Sequence, residues 1–138
     1  MSRIRGKNTG PEREMFRLLR RQGVYFARHG RELPGSPDIV FRKCRLAVFI
    51  DGDFWHGRKL SSWRKDLSAF WREKIEANVR RDNRDRRRLR SLDWDVVRIW
   101  GKDLARDPDA CVRTVLDRRR ECIASKMFKE VSTNPNHR

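Results

Sequence analysis

Asp38 and Asp51 stand at two ends of an apolar stretch, in the runs Pro37-Asp38-Ile39-Val40-Phe41 and Leu46-Ala47-Val48-Phe49-Ile50-Asp51-Gly52-Asp53-Phe54-Trp55-His56. Both runs have the composition of β-strands. Adjacent strands lie about 5 Å apart, so carboxylates at the ends of a strand pair can converge on one divalent cation. Mg²⁺ takes oxygen ligands, commonly one or two carboxylates completed by water and substrate phosphate. His56 follows the second run at once and offers a general base. Around these acids the chain is strongly basic, which points to metal-assisted cutting of a polyanion.

Asp82 and Glu12 extend the set. Between Trp71 and Leu89 the apolar residues Trp71, Ile75, Val79 and Leu89 recur at helical spacing, and Asp82 falls on the same stripe with Asn78 one turn before it. A carboxylate on a buried stripe needs a partner. His56 is one candidate, since a His–Asp pair orients an imidazole as a base; one of the many arginines is the other. On the first helix Glu12, Met15, Phe16 and Leu19 share one face. Glu12 reads equally as an outer metal partner and as the acid of a capping box with Thr9, and the two roles are compatible.

Composition narrows the substrate. The 138 residues carry 35 Lys+Arg against 19 Asp+Glu, a formal charge of +16. Such an excess predicts attraction to nucleic acid with a strong salt dependence. A ribosomal-type or membrane-surface basic protein is the blander alternative. Arg80 to Arg90 holds seven arginines, including Arg80, Arg81 and Arg84, and reads as a face that tracks phosphates. Phe54, Trp55, Trp63, Phe70 and Trp71 gather near the acids and can stack on or wedge between bases, or pack a core. No secretory signal or membrane-length apolar run is seen, so a cytoplasmic setting is expected. Cys44, Cys111 and Cys122 are scattered and form no zinc pattern.

The elements that must position these residues follow in order. Thr9-Gly10-Pro11-Glu12 opens a helix that runs to about residue 22 and stops at Gly23. Strands are expected over 24–29, 38–41 and 45–51, the last central because it is nearly all apolar. A loop over 52–65 precedes a long helix over 66–92, a strand over 96–100 and a final helix over 108–124. The expected fold is a single α/β domain over residues 1–125 with a mixed sheet (α+β in character), a basic arm at residues 1–7, and a disordered polar tail from Lys126 onward.

Together these residues resemble the very-short-patch repair (Vsr) endonuclease family, over roughly residues 1–104. The resemblance is carried by Met1-Ser2-Arg3-Ile4-Arg5-Gly6-Lys7, Thr9-Gly10-Pro11-Glu12, Leu33-Pro34-Gly35-Ser36-Pro37-Asp38-Ile39-Val40-Phe41, Val48 through Gly57, Phe70-Trp71-Arg72-Glu73-Lys74-Ile75, Asn78-Val79-Arg80-Arg81-Asp82 and Val97-Arg98-Ile99-Trp100. It implies a restriction-endonuclease-like core and a Mg²⁺-dependent, strand-specific nick on the 5′ side of thymine in a T·G mismatch left by deamination of 5-methylcytosine. It implies Asp38 as metal ligand, with Asp51 in a less constant position, and His56 as catalytic histidine paired with Asp82. Glu12 matches an acid near the metal. Phe54, Trp55 and Trp71 match aromatics inserted into DNA, and the arm with Arg3, Arg5 and Lys7 matches a segment that grips DNA. The usual nuclease lysine is absent after Asp51, where the triplet reads Asp51-Gly52-Asp53, and His56 is expected to take its task.

The resemblance fails at one place. The family carries a structural zinc near this loop, yet the matching positions here are Asp53, Arg58, Leu60 and Lys102. No structural zinc is expected, and a salt bridge of Asp53 with Arg58 or Lys102 would pin the loop instead. The implied partners are mismatched duplex DNA, mismatch-repair proteins and a cognate cytosine methyltransferase, with a monomer associated with the bacterial nucleoid. Two other functions remain open: a nicking or restriction-type nuclease with another target, and a non-catalytic DNA-binding module.

Overall fold

The computed structural model describes residues 10–52 and 68–133. Helix α1 spans Gly10–Arg21 because Glu12, Met15, Phe16 and Leu19 form one buried stripe. Its end is a Schellman closure. Gly23 sits at φ +70, its N–H donates to the Arg20 carbonyl, and the Val24 N–H reaches back to Leu19.

Four strands follow from the apolar runs: β1 (Ala27–Arg28), β2 (Ile39–Phe41), β3 (Leu46–Asp51) and β4 (Asp95–Trp100). They form one sheet in the order β1-β2-β3-β4. The first two pairings are antiparallel and the β3–β4 pairing is parallel, with Val48 opposite Val97 and Asp51 opposite Trp100. Every residue of β3 is buried, in keeping with its inner place in the sheet. The parallel pair needs a crossover, which α2 (Ala69–Ser91) supplies. Ser68 caps this helix by accepting the Trp71 N–H at 3.4 Å.

The sheet separates two apolar layers. On one face Ile39, Phe41, Leu46, Val48, Ile50, Val97 and Ile99 pack with Met15, Phe16 and Leu19 of α1 and with Cys111, Val112 and Val115 of the last helix. On the other face Ala47, Phe49 and Val96 meet Leu89 of α2, with Leu33 and Trp94 at the margin. Helices on both faces of a mixed sheet are the α/β arrangement expected from the sequence.

Three elements differ in extent from the sequence expectation. The first strand is only Ala27–Arg28, since His29 turns to φ +55 and ends the extended backbone. A short helix α3 (Gly101–Arg106) follows β4 and buries only Leu104, too small an apolar signal to read in sequence. Helix α4 (Pro108–Thr133) continues to the last described residue, well into the segment from Lys126 onward expected to be a disordered tail. No glycine or proline interrupts the chain between Pro108 and Pro135, and residues such as Lys126, Met127 and Lys129 favour a helix even without a buried face.

Candidate active site

Asp38 immediately precedes β2 and is 2% exposed. Its N–H donates to the Val48 carbonyl at 3.0 Å, and its Oδ2 accepts the Ile50 N–H at 2.7 Å. The hairpin thus clamps both the backbone and the carboxylate of this residue. Glu12 lies in the first turn of α1 and is wholly buried. A carboxylate there also meets the positive end of the helix dipole.

His29 completes the corner. It leaves β1 in the left-handed region, held by its N–H to the Asp38 carbonyl at 3.0 Å and by the Gly30 N–H to the Pro37 carbonyl at 2.9 Å. Its ring meets the Phe16 ring edge-on, with centroids 5.8 Å apart. One ligand atom each from Glu12, His29 and Asp38 lies within 4.8 Å of the others. Two carboxylates and an imidazole are a donor set that fits a divalent cation.

Asp51 has different neighbours. It ends β3, and its Oδ2 accepts a hydrogen bond from Arg86 Nη2 of α2 at 2.5 Å and forms an ion pair with Arg98 Nε of β4 at 2.9 Å. Arg98 also approaches Asp82 Oδ2 at 3.9 Å, so one guanidinium links the two acids. Each arginine lies over an aromatic ring as well, Arg86 over Phe49 at 4.7 Å and Arg98 over Trp100 at 4.6 Å. Two aspartates and two arginines thus form one ionic cluster between sheet and α2.

Asp82 is half-buried on the face of α2 that carries Ile75, Arg86 and Leu89, as its spacing predicts. Asn78 on that helix accepts Arg81 Nη2 at 2.6 Å. Trp71 is 38% exposed and Phe70 59%, edge-to-face at 5.3 Å, so the start of α2 shows aromatic surface rather than core. Arg80, Arg81, Arg84, Arg87, Arg88 and Arg90 face outward, whereas Arg86 turns inward to Asp51. The arginine run is therefore not one uniform phosphate-facing surface. Arg3, Arg5, Lys7, Asp53, Phe54, Trp55, His56, Arg58, Leu60 and Trp63 lie outside the described residues.

The three thiols belong to the core. Burial pushes Cys44, Cys111 and Cys122 up, and Cys122 reaches about 12 through burial and its hydrogen bond to Asp95. A thiol so shifted stays protonated near neutral pH and makes a poor nucleophile.

Sequence reasoning placed Glu12 and Asp38 near one cation, and the fold brings them together. It passed over His29, which it read only as the end of a strand. The available signal was the residue type itself, an imidazole in a loop that leads to Pro37-Asp38. It also missed the two arginines on Asp51, because a charge run does not reveal which of its members points inward.

A mixed sheet with helices on both faces and buried acids at a sheet end defines a restriction-endonuclease-like core. A family model for the DNA mismatch endonuclease Vsr matches residues 1–62. The type II nicking enzyme V.XorIIP of Xanthomonas oryzae pv. oryzae is 39% identical over 121 residues, covering 85% of this chain and 89% of that protein. V.HpaIIP of Haemophilus parainfluenzae, also a type II nicking enzyme, is 35% identical over 76% of this chain and 77% of its own length. The DNA mismatch endonuclease Vsr of Escherichia coli is 38% identical over 72% of this chain and 65% of its own length. The chain belongs to the Vsr family, and it is a DNA endonuclease. No helix among the described residues is long and apolar enough to cross a membrane.

Proposed function

We propose that the protein nicks one strand of duplex DNA, on the 5′ side of the thymine in a T·G mismatch, with a divalent metal ion as cofactor and Mg²⁺ as the abundant choice. The observation that carries the metal-dependent part is the Glu12–His29–Asp38 corner, with its buried acids beside the β2–β3 hairpin. The mismatch part is supported by the family match and by the Escherichia coli relative, a DNA mismatch endonuclease.

In this reading Asp38 and Glu12 hold the cation. The ion would supply positive charge for the developing oxyanion and the leaving 3′ oxygen. Asp51 is engaged by Arg86 and Arg98, so a neighbouring backbone carbonyl suits the remaining ligand position better than Asp51 does. His56, oriented by Asp82, removes a proton from the attacking water. Arg98, lying between Asp51 and Asp82, places a positive charge beside the second acid. Phe54, Trp55 and Trp71 wedge at the mismatch, while Arg3, Arg5, Lys7, Arg80, Arg81 and Arg84 hold phosphates. A cognate cytosine methyltransferase creates the substrate indirectly, through deamination of its product.

A second reading rests on the nicking-enzyme relatives, which are described by the nick and not by a mismatch. The chain would then be a strand-specific nickase with another target. One experiment separates the two. Labelled duplexes bearing T·G, other mismatches or none are incubated with Mg²⁺ and wild type, Asp38→Ala or His56→Ala protein. A nick confined to the thymine strand of T·G, reduced at least about 10²-fold in both variants, is the expected result. Equal cutting of matched duplexes favours the second reading, and tight binding without cutting overturns both.

A further inference from the structure

We propose that His29 is a ligand of the ion at the Glu12–Asp38 site, and that its imidazole gives the site a preference for a transition ion of the Mn²⁺ type over Mg²⁺. The proposal rests on the reading of this corner as a metal site and adds a ligand and a selectivity to it.

The geometry is the first argument. Three separate segments supply the donors: the first turn of α1, the residue after β1 and the residue before β2. Their ligand atoms lie within 4.8 Å of one another, which places all three within reach of one ion. Nothing in the sheet requires a histidine at position 29. The backbone there is left-handed, a conformation histidine adopts more readily than most side chains do, and it turns the chain towards Asp38. The two flanking backbone hydrogen bonds fix that residue against Asp38, so the ring's location follows from the hairpin and not from a flexible surface.

Electrostatics is the second. Glu12 and Asp38 are 0% and 2% exposed. Two buried carboxylates this close repel each other unless a cation or a proton intervenes. A divalent ion between them would offset that repulsion and would leave the imidazole nitrogen able to donate its lone pair.

Ligand chemistry gives the selectivity. Mg²⁺ demands oxygen donors and gives up water reluctantly. Imidazole suits first-row transition ions, and carboxylate suits Mg²⁺ and Mn²⁺ alike. A set of two carboxylates and one imidazole therefore favours Mn²⁺ in affinity, even where Mg²⁺ supports turnover by abundance. The rival arrangement is a protonated His29 that merely neutralises the two acids. That arrangement predicts no nitrogen–metal bond and no selectivity from this residue.

The test uses the full chain and the metals alone. Mn²⁺ and Mg²⁺ are titrated calorimetrically into wild type and His29→Asn, and the Mn²⁺-loaded proteins are examined by electron spin-echo envelope modulation, which detects a coordinated imidazole nitrogen. Asparagine tolerates the left-handed backbone and replaces a nitrogen donor by an oxygen. Wild type should bind Mn²⁺ at least roughly tenfold more tightly than Mg²⁺, and His29→Asn should lose most of that ratio. The nitrogen modulation should be present in wild type, persist in His56→Ala and vanish in His29→Asn. An unchanged affinity ratio or a persistent nitrogen signal in His29→Asn overturns the proposal. So does failure of wild type to bind Mn²⁺. If His29→Asn does not fold, His56→Ala still decides, because loss of the signal there assigns the nitrogen to His56. Metal binding as expected with no nicking of any duplex would refute the proposed function and leave the His29 assignment standing. Specific T·G nicking with no nitrogen ligand from His29 would do the reverse.

Discussion

The carboxylate of Asp51 is 3% exposed, and one of its oxygens takes both Arg86 and Arg98. Buried ion pairs gain little net stability, but removing one member leaves a charge without its counterion in a poor solvent. Arg86 is itself 6% exposed and stacks on Phe49, so it is the member whose loss the cluster absorbs least. Arg86→Met should destabilise the fold by about 3 kcal/mol, read by urea denaturation. Arg84→Met, on the exposed face of the same helix, should change stability by less than about 0.5 kcal/mol. Because Asp51 and Arg86 share one interaction, Asp51→Asn with Arg86→Met should cost less than the sum of the single changes. Full additivity would show that the contact carries no coupling. Arg98→Met should cost less than Arg86→Met, since Arg98 keeps about a quarter of its side chain in water. Its effect belongs to activity, through the positive charge lost beside Asp82.

Two helix ends share one chemistry but use different residues. α1 closes on Gly23 at φ +70, where an added Cβ would meet nothing within 4 Å. α2 closes with the same pair of bonds, Asp93 N–H to the Arg90 carbonyl and Trp94 N–H to the Leu89 carbonyl, but Asp93 sits at φ +71. A side chain in this region costs free energy that glycine does not. Gly23→Ala should therefore destabilise by about 1 kcal/mol, and Asp93→Gly should stabilise by about 0.5 kcal/mol, read as opposite shifts in Tm. The same contrast explains what was legible in the sequence. α1 is readable because Gly23 and its apolar stripe mark both end and face, and β2 and β3 are readable as apolar runs between turn residues. The body of α2 shows in the spacing of Ile75, Asp82 and Leu89. β1 is an edge strand made by pairing Ala27 with Val40 and carries almost no apolar pattern of its own. α3 and residues 126–129 of α4 bury too little to leave a period. Asp38 was legible because it opens an apolar run, and Glu12 because it shares a helix face with Met15, Phe16 and Leu19; Asp51 ends the next apolar run but faces Arg86 and Arg98 instead. The His29 contact was not, because it depends on three segments meeting in space.

A chain with a formal charge of +16 is drawn to any polyanion, so charge alone cannot select a mismatch. Affinity and specificity should separate across the molecule. Arg80, Arg81 and Arg84 present guanidiniums on the outer side of α2, while Trp71 stands exposed at its start. Phosphate contacts release condensed counterions, each steepening the dependence of log K on log salt by about 0.9. If all three arginines contact phosphates, their joint replacement by glutamine should flatten that slope by roughly 2.7. It should weaken binding to T·G and matched duplexes alike, leaving their affinity ratio nearly constant. Trp71→Ala should do the opposite, leaving the slope intact and lowering the preference for the mismatch, as loss of a stacking or wedging aromatic would. Both are read from binding isotherms at several salt concentrations, with Asp38→Ala protein used to prevent cutting. A fall in mismatch preference with the arginine replacement would mean that this face of α2 senses the distorted duplex itself. The division between a charged face that holds and an aromatic edge that selects would then be wrong.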